Sequence, residues 1–547
     1  MTAPTPLLDS SLEPRRYWWQ HMTGYHWYVL LLCAMGWMFD SMDQQIFTAS
    51  RSITMRDLLP HAGAVEQTRL GSWATTLFML GWATGGLLFG ILGDKWGRAK
   101  TMALTVFLYA GCTGLSALSH NWTQFALSRL ITGFGVGGEF AAGAALVADV
   151  MPTKARAQAL GLLQALSAVG NVLGAGMLGI VAMWAHDSEH YSWRYLYLFG
   201  AFPALIAVFV MARMKEPQKW VAAKRAAQVS GDKSMGRISD LFTDARWRRH
   251  TLVGLGLAIA GVVGLWGIGF YSPELIDATF PQMSVQSGAD MDQIFAMPLT
   301  SRSARINAMQ DSANATLPLG QHTAAANKRF QDDLDAYTRL LARTAGHGEK
   351  LPRNLANLRL EPTRRTTIIG LLGKRMTPEH AAKLKSRALV MQQCGAFLGM
   401  LMFAVMATRI GRRWSFVISF IVAWASIFIV FLGFNSEGQI WYLYPLLGFC
   451  TLLPFGGYAI YFPELFPTRL RTTGTGFCYN VGRYVSSLGP LVFGSLGALF
   501  AGRFQTAGFR VAAATVASIY LLGIISALLG PETKDCALPE DEGVAAH

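Results

Sequence analysis

Charged side chains stand inside long apolar runs of this 547-residue chain. Each is costly to place there and is therefore chemically informative. Asp40 and Asp43 end the run "YVLLLCAMGWMFDSMD" three positions apart, which puts both carboxylates on one face of a helix. Two such carboxylates in a low dielectric resist double ionisation, so one should bind a proton readily. Arg129 would oppose that uptake, and its approach or withdrawal would drive proton release. A static ion pair is the alternative. Arg483 stands about eleven residues into its own run and needs an anion. A carboxylate-bearing ligand is one candidate, because the guanidinium fork suits it. Glu139, about sixteen residues into another run, is the other candidate. A Glu139–Arg483 pair would leave the site neutral and open to a sugar-like ligand. Trp266, Tyr271, Gln164, Asn171, Gln393, Tyr458 and Asn480 offer rings and amides that could line a cavity at similar depth.

The elements that must carry these groups follow from composition. The chain is 52% hydrophobic and 15% charged, against about 25% charged in ordinary soluble domains. Twelve runs approach the ~20 residues that cross a bilayer as helix. They lie near 26–48, 71–93, 101–119, 123–149, 158–184, 193–213, 251–275, 388–407, 415–434, 440–463, 473–497 and 511–530. Helix rather than strand is required, since every backbone group in lipid must be satisfied internally. At about 1.5 Å per residue, Asp40 and Asp43 sit roughly 22–27 Å along their helix, at a depth comparable with Arg129.

Basic residues cluster in one set of short loops and in the segment 214–250, while "SHNW" and "NSEGQ" have none. This places both termini and the central linker in the cytoplasm. The same reading explains the formal charge of +14 and argues against nucleic-acid binding. Five of the six cysteines lie in apolar runs and none has metal-ligand spacing. The N-terminus lacks the basic start and apolar core of a secretory signal, so the first run is expected to be a retained helix. Residues 277–387 are polar, include the helix-periodic "NKRFQDDLDAYTRLLARTA", and fall outside the membrane on the far side.

The chain also repeats itself. "GILGDKWGRAK" and "AVMATRIGRRW" place Gly97 and Gly411 314 positions apart. "DVMPTKARAQALG" and "ELFPTRLRTTGTG" align Asp149 with Glu464 and Arg156 with Arg471, 315 apart. Two landmarks with nearly one offset indicate a duplication, six helices plus six, of the kind that places a binding site between halves. The repeated loops read as a conformational latch built from Gly90, Asp94, Lys95, Gly97, Arg98, Lys100, Asp149 and Arg156, with Arg409, Gly411, Arg412, Glu464, Arg469 and Arg471 as the second copy. Gly90 and Gly97 permit tight turning and close approach. Asp94 can cap the next helix or sit at a partner helix end, where the macrodipole favours an anion. Thr408 stands where the second copy would have this aspartate, so that half of the latch should be weaker. "GFGVGG" at 133–138 fits a dinucleotide pattern, but it follows no strand, and helix packing accounts for it.

These loops resemble the major facilitator superfamily. "GILGDKWGRAK" is similar to that family's loop between helices two and three, and "RLITGFGVGGE" to its fourth helix. "PELFPTRLRTTGTG" and "GPETKD" resemble its sugar and organic-acid porters. "FDSMD" and "YNVGRYVSSLGP" are similar to organic-acid:proton symporters. The resemblance implies that a first-helix aspartate carries the proton and that Arg129 modulates it.

The expectation is an all-α membrane protein of twelve helices in two six-helix pseudo-repeats. Residues 1–213 form one bundle, 214–250 a linker and 251–547 the other bundle, interrupted by the insert 277–387. The expected activity is import of a small polar metabolite, an organic acid before a sugar, coupled to protons by alternating access. A proton-independent facilitator and a ligand-binding sensor are the rivals. No enzyme, cofactor or metal site is expected. The working unit is expected to be a monomer in the inner (cytoplasmic) membrane of the cell, with substrate, protons and lipid as partners.

Overall fold

A computed structural model describes residues 17–184, 192–211, 214–229, 235–268, 272–279, 378–486 and 508–540, with 496, 499 and 500. The first six helices are α1 (Gly24–Leu58), α2 (Ala64–Trp96), α3 (Arg98–Ser116), α4 (Trp122–Val150), α5 (Thr153–Trp184) and α6 (Ser192–Met211). The linker forms α7 (Gln218–Val229) and the single turn α8 (Asp240–Thr243). There follow α9 (Ala245–Gly267), α10 (Ser272–Thr279), α11 (Pro378–Ile410), α12 (Arg412–Gly433), α13 (Ile440–Leu465), α14 (Arg471–Ser486), α15 (Gly508–Val516) and α16 (Ile519–Leu529). Ten of the twelve expected spans each fall, over their described residues, on one of these helices. Seven described helical stretches, one of them α15 and α16 taken together, are long and apolar enough to cross a membrane.

Two boundaries differ from expectation. The seventh span was expected to run unbroken through 275, but α9 ends at Gly267 and α10 starts separately at Ser272, ahead of Pro273. The twelfth is divided at 517–518, where Ser518 and Tyr520 donate to carbonyls only three residues back. Most of the insert, 280–377, lies outside the described residues.

The chain groups into two compact units. One contains Met1–Tyr271, Val390–Phe434 and Gly438–His547. The other contains Ser272–Leu389 and Asn435–Glu437.

Helix starts are fixed locally. Asn121 accepts from the Gln124 amide at 2.9 Å to begin α4, and Asp244 accepts from Arg246 at 2.8 Å to begin α9. Packing within each half is backbone against backbone. A Cβ on Gly81 would lie 2.1 Å from the Leu130 carbonyl oxygen, and one on Gly133 would lie 2.2 Å from that of Phe78. "GFGVGG" is therefore a helix-crossing surface. The crossing recurs in the second half, where Gly395 and Gly399 meet the carbonyls of Pro445 and Phe449, and Gly448 meets that of Gln392. Gly81 and Gly395 are 314 apart, and Gly133 and Gly448 are 315 apart, the offsets of the repeat itself.

The turns from α2 to α3 and from α11 to α12 are matched as well. Gly97 has φ 129° and Gly411 φ 89°, in a region that side chains avoid. Each glycine faces a carboxylate that caps the following helix. Glu216 accepts from the amides of Arg98 (2.8 Å), Ala99 (3.1 Å) and Lys100 (3.1 Å). Glu532 accepts from those of Arg412 (2.8 Å) and Arg413 (3.1 Å). A Cβ would come within 2.3 Å of Glu216 and 2.4 Å of Glu532. Replacing either glycine with alanine should cost about 1–3 kcal/mol of backbone strain and displace the cap. The expected outcome is a lower thermal unfolding midpoint for Gly97→Ala and for Gly411→Ala in purified protein. An unchanged midpoint would show that the turn relaxes freely.

Candidate functional site

The buried charges separate into a closed set and an open one. Arg129 is held on all sides. Its guanidinium donates to Asp43 at 3.3 Å, to Ser116 at 2.7 Å and to Thr132 at 3.1 Å. Thr113 donates to the other Asp43 oxygen at 2.8 Å. The Tyr197 ring centre lies 4.8 Å from the guanidinium carbon. Three helices, α1, α3 and α4, thus converge on one satisfied pair.

Asp40 sits one turn away in a different setting. It is in electrostatic reach of Arg483, Asp43 and Glu139. One Asp40 oxygen, both Glu139 oxygens and the Asn480 carbonyl oxygen are buried without a hydrogen-bond partner. Arg483 also has two nitrogens, Nε and Nη1, without a partner. Its guanidinium carbon lies 3.6 Å from the Trp82 ring centre and 4.4 Å from that of Tyr479. Phe140 packs on Tyr479 at 4.3 Å, and Trp37 on Phe140 at 5.0 Å. The Glu139–Arg483 pair left open by the sequence does not form, because Arg483 stacks on rings instead. Arg483, Tyr479 and Asn480 come from the second half; Asp40, Glu139, Trp82 and Phe140 come from the first. The group therefore lies on the seam between halves.

The remaining expected site residues are placed unevenly. Asn171 and Gln393 meet across the halves, the Asn171 amide donating at 3.2 Å. Gln164 is buried, with its carbonyl oxygen unpartnered. Tyr458 does not offer its hydroxyl to a cavity: it donates to the Leu257 carbonyl at 2.7 Å and stacks on Phe462. The Trp266 side chain and Tyr271 lie outside the described residues.

The repeated loops meet at one end of the bundle. Asp94 lies at the start of a helix in the other half, the second of its two expected positions. It accepts from the amides of Thr472 (3.1 Å) and Thr473 (2.8 Å) and from the Thr473 hydroxyl (2.7 Å). Arg98 pairs with Asp149, and Arg471 of the other half pairs with the same carboxylate. Arg98 also donates across the seam to the Thr468 carbonyl at 2.8 Å. In the second copy Arg412 holds Glu464 through two bonds, of 3.0 and 2.8 Å. Arg156 donates to the Ala148 carbonyl and Arg471 to the Pro463 carbonyl, each at 3.0 Å and again 315 positions apart. The Gly90 Cα faces the start of α14, where an added Cβ would lie 3.1 Å from the Thr472 carbonyl oxygen. Thr408, in the aspartate's place, bonds back to Ala404 and Val405 of its own helix.

Linker and tail cover this end. The Trp220 indole donates to the Asp94 carbonyl at 2.8 Å, Arg469 pairs with Asp240, and the Gly236 amide donates to the Arg469 carbonyl at 2.9 Å. Glu540 accepts from Thr468 at 2.9 Å. Burial, then Arg156 and Arg471, hold the Lys219 amine below its ordinary pKa, with Glu540 opposing. The side chains of Lys95, Lys100 and Arg409 are peripheral, although the carbonyls of Lys95 and Arg409 accept from Lys224 (3.2 Å) and Lys534 (3.0 Å).

A sequence model of the Major Facilitator Superfamily matches residues 21–306. The chain belongs to the major facilitator superfamily. A Haemophilus influenzae protein carrying a metabolite-transport designation is 25% identical over 523 residues, covering 94% of this chain and 99% of that one. The cis,cis-muconate transport protein of Acinetobacter baylyi is 23% identical and covers 86% of each chain. Among solved structures, the proton:xylose symporter XylE shares the fold, with a TM-score of 0.57 at 14% identity, over 94% of this chain and 98% of that one. This superfamily member is a multi-pass membrane transporter and not an enzyme.

The sequence reading missed several groups that complete these sites. Glu216 and Glu532 are 316 positions apart, close to the repeat offset, and "KEP" and "PET" could have been aligned on that ground. Trp82 gave no signal, since an aromatic residue in a membrane run is ordinarily packing, and Tyr479 was legible only as the first residue of the motif "YNVGRYVSSLGP". Hydrogen bonds to an ionised group contribute about 1.5–3 kcal/mol. In Asp94→Asn, amide exchange at Thr472 and Thr473 should therefore accelerate about ten- to a hundredfold, read by hydrogen-exchange mass spectrometry. Unchanged protection would mean that α14 holds its own first turn.

Proposed function

We propose that the protein imports a small organic acid together with a proton, by alternating access to the seam between its halves. The observation that carries this reading is the open set of charges. Arg483 retains unpartnered donors beside a buried Asp40 and Glu139 with unpartnered oxygens, whereas Asp43 is consumed by Arg129. A substrate carboxylate and the Asp40 carboxylate compete for Arg483. Protonation of Asp40, shared with its neighbour Glu139, releases Arg483 to bind the substrate. By linkage, the bound acid then favours the protonated aspartate to the same degree. Asp43 and Arg129 hold α1 against α3 and α4 while this exchange occurs. Asn480, Gln164 and the Asn171–Gln393 pair supply the neutral polar groups around the cleft.

The latch closes one end of the cleft, and its rupture is the step that exposes the site to that side. The resemblance to a muconate transport protein supports an organic acid as substrate. The reading places a monomer in the inner (cytoplasmic) membrane with both termini in the cytoplasm, following the basic loops.

Proteoliposomes offered labelled cis,cis-muconate and benzoate test the scheme. Uptake should rise with an imposed inward proton gradient. Asp40→Asn should lose uphill uptake but retain counterflow, because a permanently neutral residue 40 leaves Arg483 free. Equal uptake with and without the gradient would make the protein a facilitator, and saturable binding without accumulation a sensor. Arg483→Lys should weaken binding of either acid at least about tenfold, because a point charge replaces the fork.

A further inference from the structure

Resting on the carboxylate reading above, we infer that Trp82 and Tyr479 are specificity-determining residues. They make the donor edge of Arg483 a flat slot that selects carboxylates whose adjoining carbon is trigonal, as in conjugated and aryl acids, over those in which it is tetrahedral.

The argument begins with a distance. A guanidinium carbon 3.6 Å from the Trp82 ring centre is at van der Waals contact. A guanidinium standing on edge at that separation would drive its nitrogens into the ring, so it lies face-on. The Tyr479 ring also contacts the guanidinium carbon, at 4.4 Å, from one helical turn earlier on α14. The Trp82 ring therefore takes one face of the ion and the Tyr479 ring lies beside it, while its hydrogen-bonding capacity is confined to the plane, where Nε and Nη1 have no partner.

A carboxylate binds a guanidinium through two parallel bonds in that same plane, and each of the two forks joins Nη2 to one of these open donors, Nε on one edge or Nη1 on the other. Its adjoining carbon is then coplanar with the ion and continues outward beside the rings. A trigonal carbon keeps its other substituents in the plane. A tetrahedral carbon sends at least one above or below it, toward the aromatic walls. Phe140, packed on Tyr479, and Trp37, packed on Phe140, extend that wall beyond the ion itself. Flat π systems also gain offset stacking against such walls, worth about 0.5–1.5 kcal/mol per ring pair. Because Trp82 belongs to one half and Tyr479 to the other, the slot exists only where the halves meet.

Matched acids test this on purified full-length protein: benzoate against cyclohexanecarboxylate, fumarate against succinate, and cis,cis-muconate against adipate. Binding is read by calorimetry, with thermal stabilisation as a second measurement. The planar member of each bound pair should bind at least about tenfold more tightly. In Trp82→Leu the ratio should fall below about threefold, while Trp82→Phe should restore most of it. A Trp82→Leu protein that does not fold leaves Tyr479→Leu to carry the same comparison. Carboxylates that bind without a planar preference, or a preference that survives loss of either ring, would overturn the slot and leave the carboxylate reading standing. If no acid of any pair binds, while a neutral sugar does, the carboxylate reading itself fails and the slot with it.

Discussion

A charge buried in an apolar bundle must be compensated within reach of its own side chain, because neither lipid nor packed helix offers water in exchange. The structure answers this constraint in two ways. Arg129 is compensated completely, by a carboxylate, three hydroxyls and a ring, and so acts as a fixed rivet between helices of one half. Arg483 is compensated only in part, by ring faces and by the field of Asp40 across the seam. The first arrangement resists change. The second leaves donors and acceptors open, and the two first-helix aspartates are divided between these environments.

The same constraint governs the end of the bundle where the repeated loops meet. Asp149 receives an arginine from each half, and Asp94 receives the free amides of a helix from the opposite half. The second copy keeps the arginine–carboxylate pair, Arg412 with Glu464, but has a threonine in the aspartate's place. The duplicated halves are therefore joined asymmetrically. One seam is fastened by a charge at a helix end, and the corresponding position on the other seam spends its hydroxyl on its own backbone.

Much of the fold was legible because membrane helices announce themselves by length and by the spacing of glycine. The twelve spans, the repeat offset and the helix-packing role of "GFGVGG" follow from those signals alone. Pairing was harder to read. Depth estimates put Asp40, Asp43 and Arg129 at one level, but the rotation of each helix decides that Asp43 faces Arg129 while Asp40 faces the seam. Glu139 and Arg483 could be read as buried charges in need of partners, yet stacking of the arginine on Trp82 and Tyr479 depends on how two halves approach, which no local pattern encodes. Tyr458 shows the same limit: its type suggests a ligand contact, and only tertiary packing reveals the Leu257 carbonyl that holds it. The break after Gly267 was hidden by an apolar run that continued through it.

The seam between α2 and α14 is lined by glycine where it runs toward the latch. A Cβ on Gly476 would lie 2.6 Å from the Gly86 carbonyl oxygen, and one on Gly90 would lie 3.7 Å from the Gly476 Cα. Over that stretch α14 also seats side chains on bare glycine: Asn480 lies against Gly86 and Thr472 against Gly93. Polar fasteners join the same two helices, Asp94 at one end and the Thr84–Tyr484 hydroxyl contact (2.5 Å) nearer the centre. A joint of this kind depends on bare backbone: any side chain larger than hydrogen at Gly86, Gly90 or Gly476 would hold the halves apart.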